Sequence, residues 1–129
     1  MNGARWVQET LLGDNPKASL RVYAVWFNMY PGDARERWRA DRLTDPRVAQ
    51  FWDERRSIGL LFYPTVLRMW AKRAAETIPP QDDALWDAYL LYGPRARWTD
   101  QPPDVVSWGA TILSTRETLE RDLKRLLKN

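Results

Sequence analysis

The chain has 129 residues, of which 44% are hydrophobic and 29% charged, and 20 basic side chains stand against 17 acidic ones for a net charge of +3. This size and balance fit one folded domain, 1–129, rather than a disordered chain. The sequence holds no cysteine and no histidine, which excludes disulfides, thiol–disulfide exchange, imidazole bases and the common zinc ligand sets.

Residues 4–12 read as a short helix with Val7 and Leu11 on one face and Gly13 placed to end it. Residues 20–27 are apolar on both alternating faces and read as an interior strand covered on both sides. Tyr30-Pro31-Gly32-Asp33 is a turn, and one helical turn is expected within residues 34–39. Along the arginine-dense stretch 35–56 and just before it, six acidic residues, Asp33, Glu36, Asp41, Asp45, Asp53 and Glu54, alternate with the arginines. That mixture is not a phosphate-binding stripe, so no nucleic-acid partner is expected.

Thr44-Asp45-Pro46 carries a helix-start signal, and Val48, Phe51, Trp52, Ile58 and Phe62 follow at helical spacing. Pro64 is expected to kink or break that helix, with a second piece over residues 65–75. Residues 84–92 read as a second interior strand that Gly93-Pro94 stops. Over 105–112, Val106, Trp108, Ala110 and Ile112 alternate with Ser107, Gly109 and Thr111, as in an edge strand whose polar face is less buried. The last helix shows Ser114 and Glu117 at capping-box spacing and Leu119, Leu123, Leu126 and Leu127 on one stripe. The order helix, strand, helix, strand, strand, helix assigns the chain to α/β or α+β with a mixed sheet.

Eight tryptophans are many for this length. Trp26, Trp52, Trp70, Trp86 and Trp108 sit at core spacing, whereas Trp38 and Trp98 lie in polar loops and are the candidates for contact with a partner. Asp87 is the one charge inside a strong apolar strand, and the simplest reading is a solvated or arginine-paired residue near the strand start, with Arg21 or Arg97 as partner. Asp82-Asp83 is a solvated loop, and no metal site or cofactor is expected. No Gly-x-Ser-x-Gly elbow and no glycine-rich phosphate loop appears, so the chain as written reads as no enzyme. No signal-peptide pattern or apolar run of membrane-spanning length is seen, which points to a cytoplasmic protein without a membrane partner.

The element order and the stretches RVYAVWFNMYPGDARERW, DPRVAQFWDE and LWDAYLLYGPRARW resemble a group of mostly uncharacterised bacterial thioredoxin-like proteins. The resemblance implies an α/β three-layer sandwich, a mixed sheet with helices on both faces, here N-terminally truncated. In that family a Cys-x-x-Cys opens the first helix, which would fall at or before Met1-Asn2-Gly3, and a central strand precedes it. Loss of that strand would leave residues 20–27 and 84–92 either pairing directly or separated by a gap, and an exposed edge there favours dimerisation or strand donation. A family cis-proline that shapes the peptide groove has Pro79 and Pro80 as its candidates by position, where the residues by themselves read as a rigid loop that ends a helix. The resemblance therefore implies a redox-inactive module that binds a protein or peptide. The alternative is a piece of a thiol-disulfide oxidoreductase whose cysteine pair lies upstream.

Overall fold

The computed structural model describes residues 2–28, 30–72, 85 and 87–128, with the side chains of 67–72 outside that description. The protein is mixed α/β. Its chain gathers into two compact units, Met1–Ser19 with Asp87–Asn129, and Leu20–Trp86. The described strands form two separate two-stranded sheets, one parallel and one antiparallel, in place of one mixed sheet. Residues 20–27 and 84–92, whose direct pairing was one expectation, contribute to different sheets.

In the unit Leu20–Trp86, β1 (Val22–Trp26) pairs in parallel with β2 (Val48–Trp52), and Trp26 stands in register with Trp52. Parallel strands need a long crossover, usually a helix. Here the crossover is a loop with two 3-10 turns, Arg35–Arg37 and Ala40–Arg42. The turn that opens it is as expected. Pro31 fits the second turn position, Gly32 takes φ +92, and the Asp33 amide donates to the Tyr30 carbonyl at 3.0 Å.

The helix expected from Pro46 does not form, because β2 occupies its first turns and α2 runs over Ser57–Lys72. Asp45 uses its capping capacity on a tight turn instead. Its Oδ1 accepts from the Arg47 amide at 2.9 Å, and the Val48 amide donates to the Asp45 carbonyl at 3.0 Å. Val48, Phe51 and Trp52 satisfy a helical spacing, yet their β-branched and aromatic side chains suit a strand equally well. The amide that begins α2 is met by Asp53, whose Oδ2 accepts from Ile58 at 2.8 Å. Pro64 lies inside α2 and does not divide it. Pro64 has no N–H to give the Leu60 carbonyl one turn back, and it sits where Leu60 is 49% exposed.

In the other unit, α1 (Gly3–Trp6) runs on as a π-helical stretch, Val7–Leu12, and Gly13 follows as its C-cap. β3 (Ala88–Leu91) pairs antiparallel with β4 (Ser107–Ala110), and α3 (Arg116–Leu127) packs on β4. Trp6, Leu11, Leu12, Leu91, Trp108, Leu119 and Leu123 are its buried apolar side chains. β4 lies at an edge of its two-stranded sheet and buries Trp108, as expected, but the less buried face expected of it is overturned, since Ser107 is 2% exposed while Val106 is 53% exposed. Ser107 is tolerated inside because its hydroxyl has partners, the Tyr89 hydroxyl at 3.0 Å among them. Gly109 is required by proximity, because a Cβ there would meet the Thr115 side chain and the Tyr89 ring.

The capping box at Ser114 is not made either. Thr115 is the N-cap, but its hydroxyl donates back to the Thr111 carbonyl at 2.7 Å and caps no helix amide, and Ser114 Oγ pairs with Thr111 Oγ1 at 2.8 Å. Among the described residues no helix is long and apolar enough to cross a membrane.

Candidate functional site

The unit Leu20–Trp86 concentrates aromatic and amide chemistry at the carboxyl ends of its two strands. Strand alternation and the parallel register put Val22, Ala24 and Trp26 on one face with Val48, Gln50 and Trp52. Gln50 organises that face. Its Oε1 accepts from Trp26 Nε1 at 3.1 Å, and its Nε2 donates to the Ala40 and Leu43 carbonyls at 2.8 and 2.9 Å. The crossover loop is thereby tied over the strands, with Leu43 buried. Trp38, carried by that loop, packs on Trp52 with ring centroids 6.0 Å apart and planes tilted by 37°.

The chain beyond the strand ends is fixed by one main-chain bond and one side-chain bond to a main-chain carbonyl. The Asp53 amide donates to the Trp26 carbonyl at 2.7 Å, and Arg56 Nε donates to the Asn28 carbonyl at 3.1 Å. The Arg56 guanidinium also lies 5.9 Å from the Phe27 ring centre, within cation–π range. Arg56 holds the left-handed backbone at φ +56, an unusual conformation for a residue other than glycine.

Three polar atoms of this region are shut from solvent and have no hydrogen-bond partner within the protein: Asn28 Oδ1, Trp38 Nε1 and Trp52 Nε1. The contrast with Trp26 is direct, since its indole N–H is met by Gln50. Leaving a buried donor or acceptor unmet costs about 1–3 kcal/mol each. Among the described residues the fourth such atom is the Tyr92 hydroxyl, which belongs to the other unit and whose pKa burial pushes up.

Electrostatics at the foot of the strands are structural. Asp45 and Arg47 form a paired bridge at 2.7 and 2.9 Å, and the Arg47 guanidinium, followed by its amide, holds the Asp45 carboxyl down at about 2. The exposed pair Arg39 and Asp41, at 2.9 Å, likewise lowers the Asp41 carboxyl through hydrogen bonding.

Of the residues singled out by sequence, Trp38 is half-buried against Trp52, and Trp98 is 54% exposed in the other unit. Pro79, Pro80, Asp82, Asp83 and Trp86 lie outside the described residues, as does the Trp70 side chain. Asp87 takes φ +45 just before β3, where burial raises its pKa against the Ile112 amide at 3.5 Å. Sequence reasoning missed Asn28, Gln50 and Arg56 and assigned Trp52 to a helical core. One available signal was the polar Asn28 directly after an apolar strand. Among the described residues no group of three or more acidic side chains could hold a metal ion.

The arrangement can bind and orient a polar group; it offers no nucleophile with a base beside it. The chain matches no protein-family model, no curated protein and no solved structure.

Proposed function

We propose that this chain is a redox-inactive, thioredoxin-like binding module that takes a protein or peptide partner at the carboxyl ends of β1 and β2. The observation that carries this reading is the trio of unmet buried polar atoms on Asn28, Trp38 and Trp52. A partner that meets them offsets a cost the unbound fold otherwise bears. Their place suits a ligand, because open α/β sheets receive ligands beyond the carboxyl ends of parallel strands.

The thioredoxin-like part of the proposal rests on the resemblance and is compatible with a parallel β1–β2 pair followed by a β3–β4 hairpin and a closing helix. The redox-inactive part rests on the absence of cysteine.

Panning a displayed random-peptide library on the purified chain tests the proposal. Recovered peptides are expected to bind in calorimetry and to lose about tenfold in affinity, roughly 1.4 kcal/mol, on Trp52→Ala. A library that yields no binder, or binders indifferent to Trp52→Ala, overturns it.

A further inference from the structure

The pairing of β1 with β2 leaves the other side of β1 open. In a parallel pair, alternate residues of a strand direct their main-chain N–H and C=O to the neighbour, and the residues between direct theirs away. The Val22 amide donates to the Arg47 carbonyl at 3.0 Å, and the Trp26 carbonyl accepts from the Asp53 amide at 2.7 Å. Val22, Ala24 and Trp26 therefore turn their main-chain groups to β2, while Tyr23 and Val25 turn theirs outward. Among the described residues no main-chain bond meets Tyr23, Val25 or Phe27 on that side.

Proteins guard such an edge with lysine, proline, a bulge or an inward-pointing charge. Val22–Trp26 carries none of these. Two strands alone also make a marginal sheet, where three or more with an apolar face are stable by themselves. The face that accompanies the outward edge is apolar, with Tyr23 65% and Phe51 52% exposed. What completes this edge is an extended backbone in register.

The strand can supply that backbone to itself. An antiparallel copy centred on Ala24, the midpoint of Val22–Trp26, sets Tyr23 opposite Val25 of the second copy and Val25 opposite Tyr23 of the second copy. Both are hydrogen-bonded pairs, so each exchanges both of its main-chain bonds. An aromatic side chain then lies across from a β-branched one on the open face, which is a favourable cross-strand pair. Ala24 meets its own copy on the two-fold axis, in the non-hydrogen-bonded pairing where side chains come closest and a small one fits. Arg21 stands opposite Phe27 and not opposite a second Arg21, so the strand sets no like charges against each other.

We propose that the occupant of the β1 edge is a second copy of this chain, paired antiparallel through β1 about Ala24 into one sheet in the order β2, β1, β1, β2. This does not depend on the binding-module reading, which concerns the carboxyl ends of the strands and leaves the outward edge unused.

Size exclusion with light scattering is the first test. A mass of twice 15.2 kDa is expected, and a monomer at every concentration overturns the proposal. Single cysteines then test the register, and each stands alone because the chain has none. The Cα atoms of Ala24 and its copy would be about 4.5 Å apart, within disulfide range. Tyr23 and its copy would lie about 7–8 Å apart on a diagonal, past the roughly 7 Å at which bridging fails. Under mild oxidation Ala24→Cys is expected to give a disulfide-linked dimer, and Tyr23→Cys, at the more exposed position, to remain unlinked. Linkage at position 23, or none at position 24 in a folded protein, overturns the proposal.

Two edge variants complete the test. Val25→Pro removes an outward N–H without touching the bonds to β2, and Tyr23→Lys puts a charge on the edge. Both are expected to remain folded by circular dichroism. Tyr23→Lys should raise the dimer dissociation constant about tenfold, the change that loss of two symmetry-related cross-strand pairs gives. If Val25→Pro does not fold, Tyr23→Lys carries the result, because Tyr23 is exposed and outside the core. An unchanged dimer in folded Tyr23→Lys overturns the proposal and leaves the binding module standing. A monomer that instead pairs a foreign peptide along β1 overturns it in favour of strand donation.

Discussion

The protein carries two buried polar clusters built to opposite rules. In the unit containing β3, β4 and α3, the Tyr89 hydroxyl lies 3.0 Å from Ser107 Oγ, which in turn hydrogen-bonds the Asp122 carboxylate, itself 3.1 Å from Arg121 Nε. Every member has a partner. In the unit containing β1 and β2, Trp38, Trp52 and Asn28 each keep a buried polar atom unmet beside a Trp26–Gln50 pair that is closed. A satisfied network rigidifies a fold, whereas an unsatisfied one marks a place where the fold gains by rearranging or by meeting a partner. The difference separates a residue set that holds the molecule together from the one on which the proposed binding rests.

The sharpest way to break the comparison is to open the closed cluster. Asp122→Ala takes the carboxylate partner from Ser107, a 2% exposed residue then left with the Tyr89 hydroxyl alone, and is expected to cost about 2–3 kcal/mol, more than any single change at the open cluster, because hydrogen bonds to a charged group are the stronger ones. Urea unfolding followed by far-UV circular dichroism measures it. A smaller effect is expected from Gln50→Ala. It releases the Trp26 N–H and the Ala40 and Leu43 carbonyls, but Ala40 is exposed and water can take its carbonyl, leaving about 1–2 kcal/mol.

Smaller again is the contrast between two like substitutions. Trp26→Phe strands Gln50 Oε1, while Trp52→Phe removes a donor that had no partner, so Trp52→Phe is expected to be the milder by about 1 kcal/mol. Equal losses in the same unfolding assay would remove the distinction between the two indoles.

The smallest effect is in pH. Asp45 falls from 3.8 to about 2 in the fold, so its contribution is fully present above pH 4 and is lost as the pH drops through about 2. Asp122 acts in the same direction. Burial alone would raise its pKa, but the hydrogen bonds from Ser107 and Arg121 prevail and lower it. Asp87 acts oppositely, since burial raises its pKa and its ionisation opposes folding until acid protonates it. Asp45→Asn is expected to flatten the acid limb of stability between pH 4 and 2, read from unfolding midpoints across that range.

Local signals in the sequence carried the presence of β1, β3 and β4, the turn at Gly32 and the closing helix, because each depends on residues a few positions apart, but not the interior place expected of β1 and β3, since each lies in a two-stranded sheet and Tyr23 is 65% exposed. The failures share a cause in tertiary context. Asp45-Pro46 can start a helix or a turn, and only the pairing of Val48–Trp52 with β1 decides for the turn. Ser107 looked solvated because a hydroxyl on an alternating strand usually is, and its burial depends on Tyr89 and on Asp122 in the next helix. Trp38 was legible as a site candidate from its polar surroundings. Its partners in the site, Trp52 and Asn28, were not, since a ring contact across the crossover loop and the end of a neighbouring strand leave no mark on local spacing.

The most direct measurement of the central claim is the hydrogen-bond state of three indoles in the unliganded protein, read from ¹H–¹⁵N spectra assigned by single Trp→Phe substitutions. The account predicts a downfield, temperature-insensitive Nε1–H for Trp26, and upfield, temperature-sensitive signals for Trp38 and Trp52. Three signals alike in the hydrogen-bonded range would contradict it.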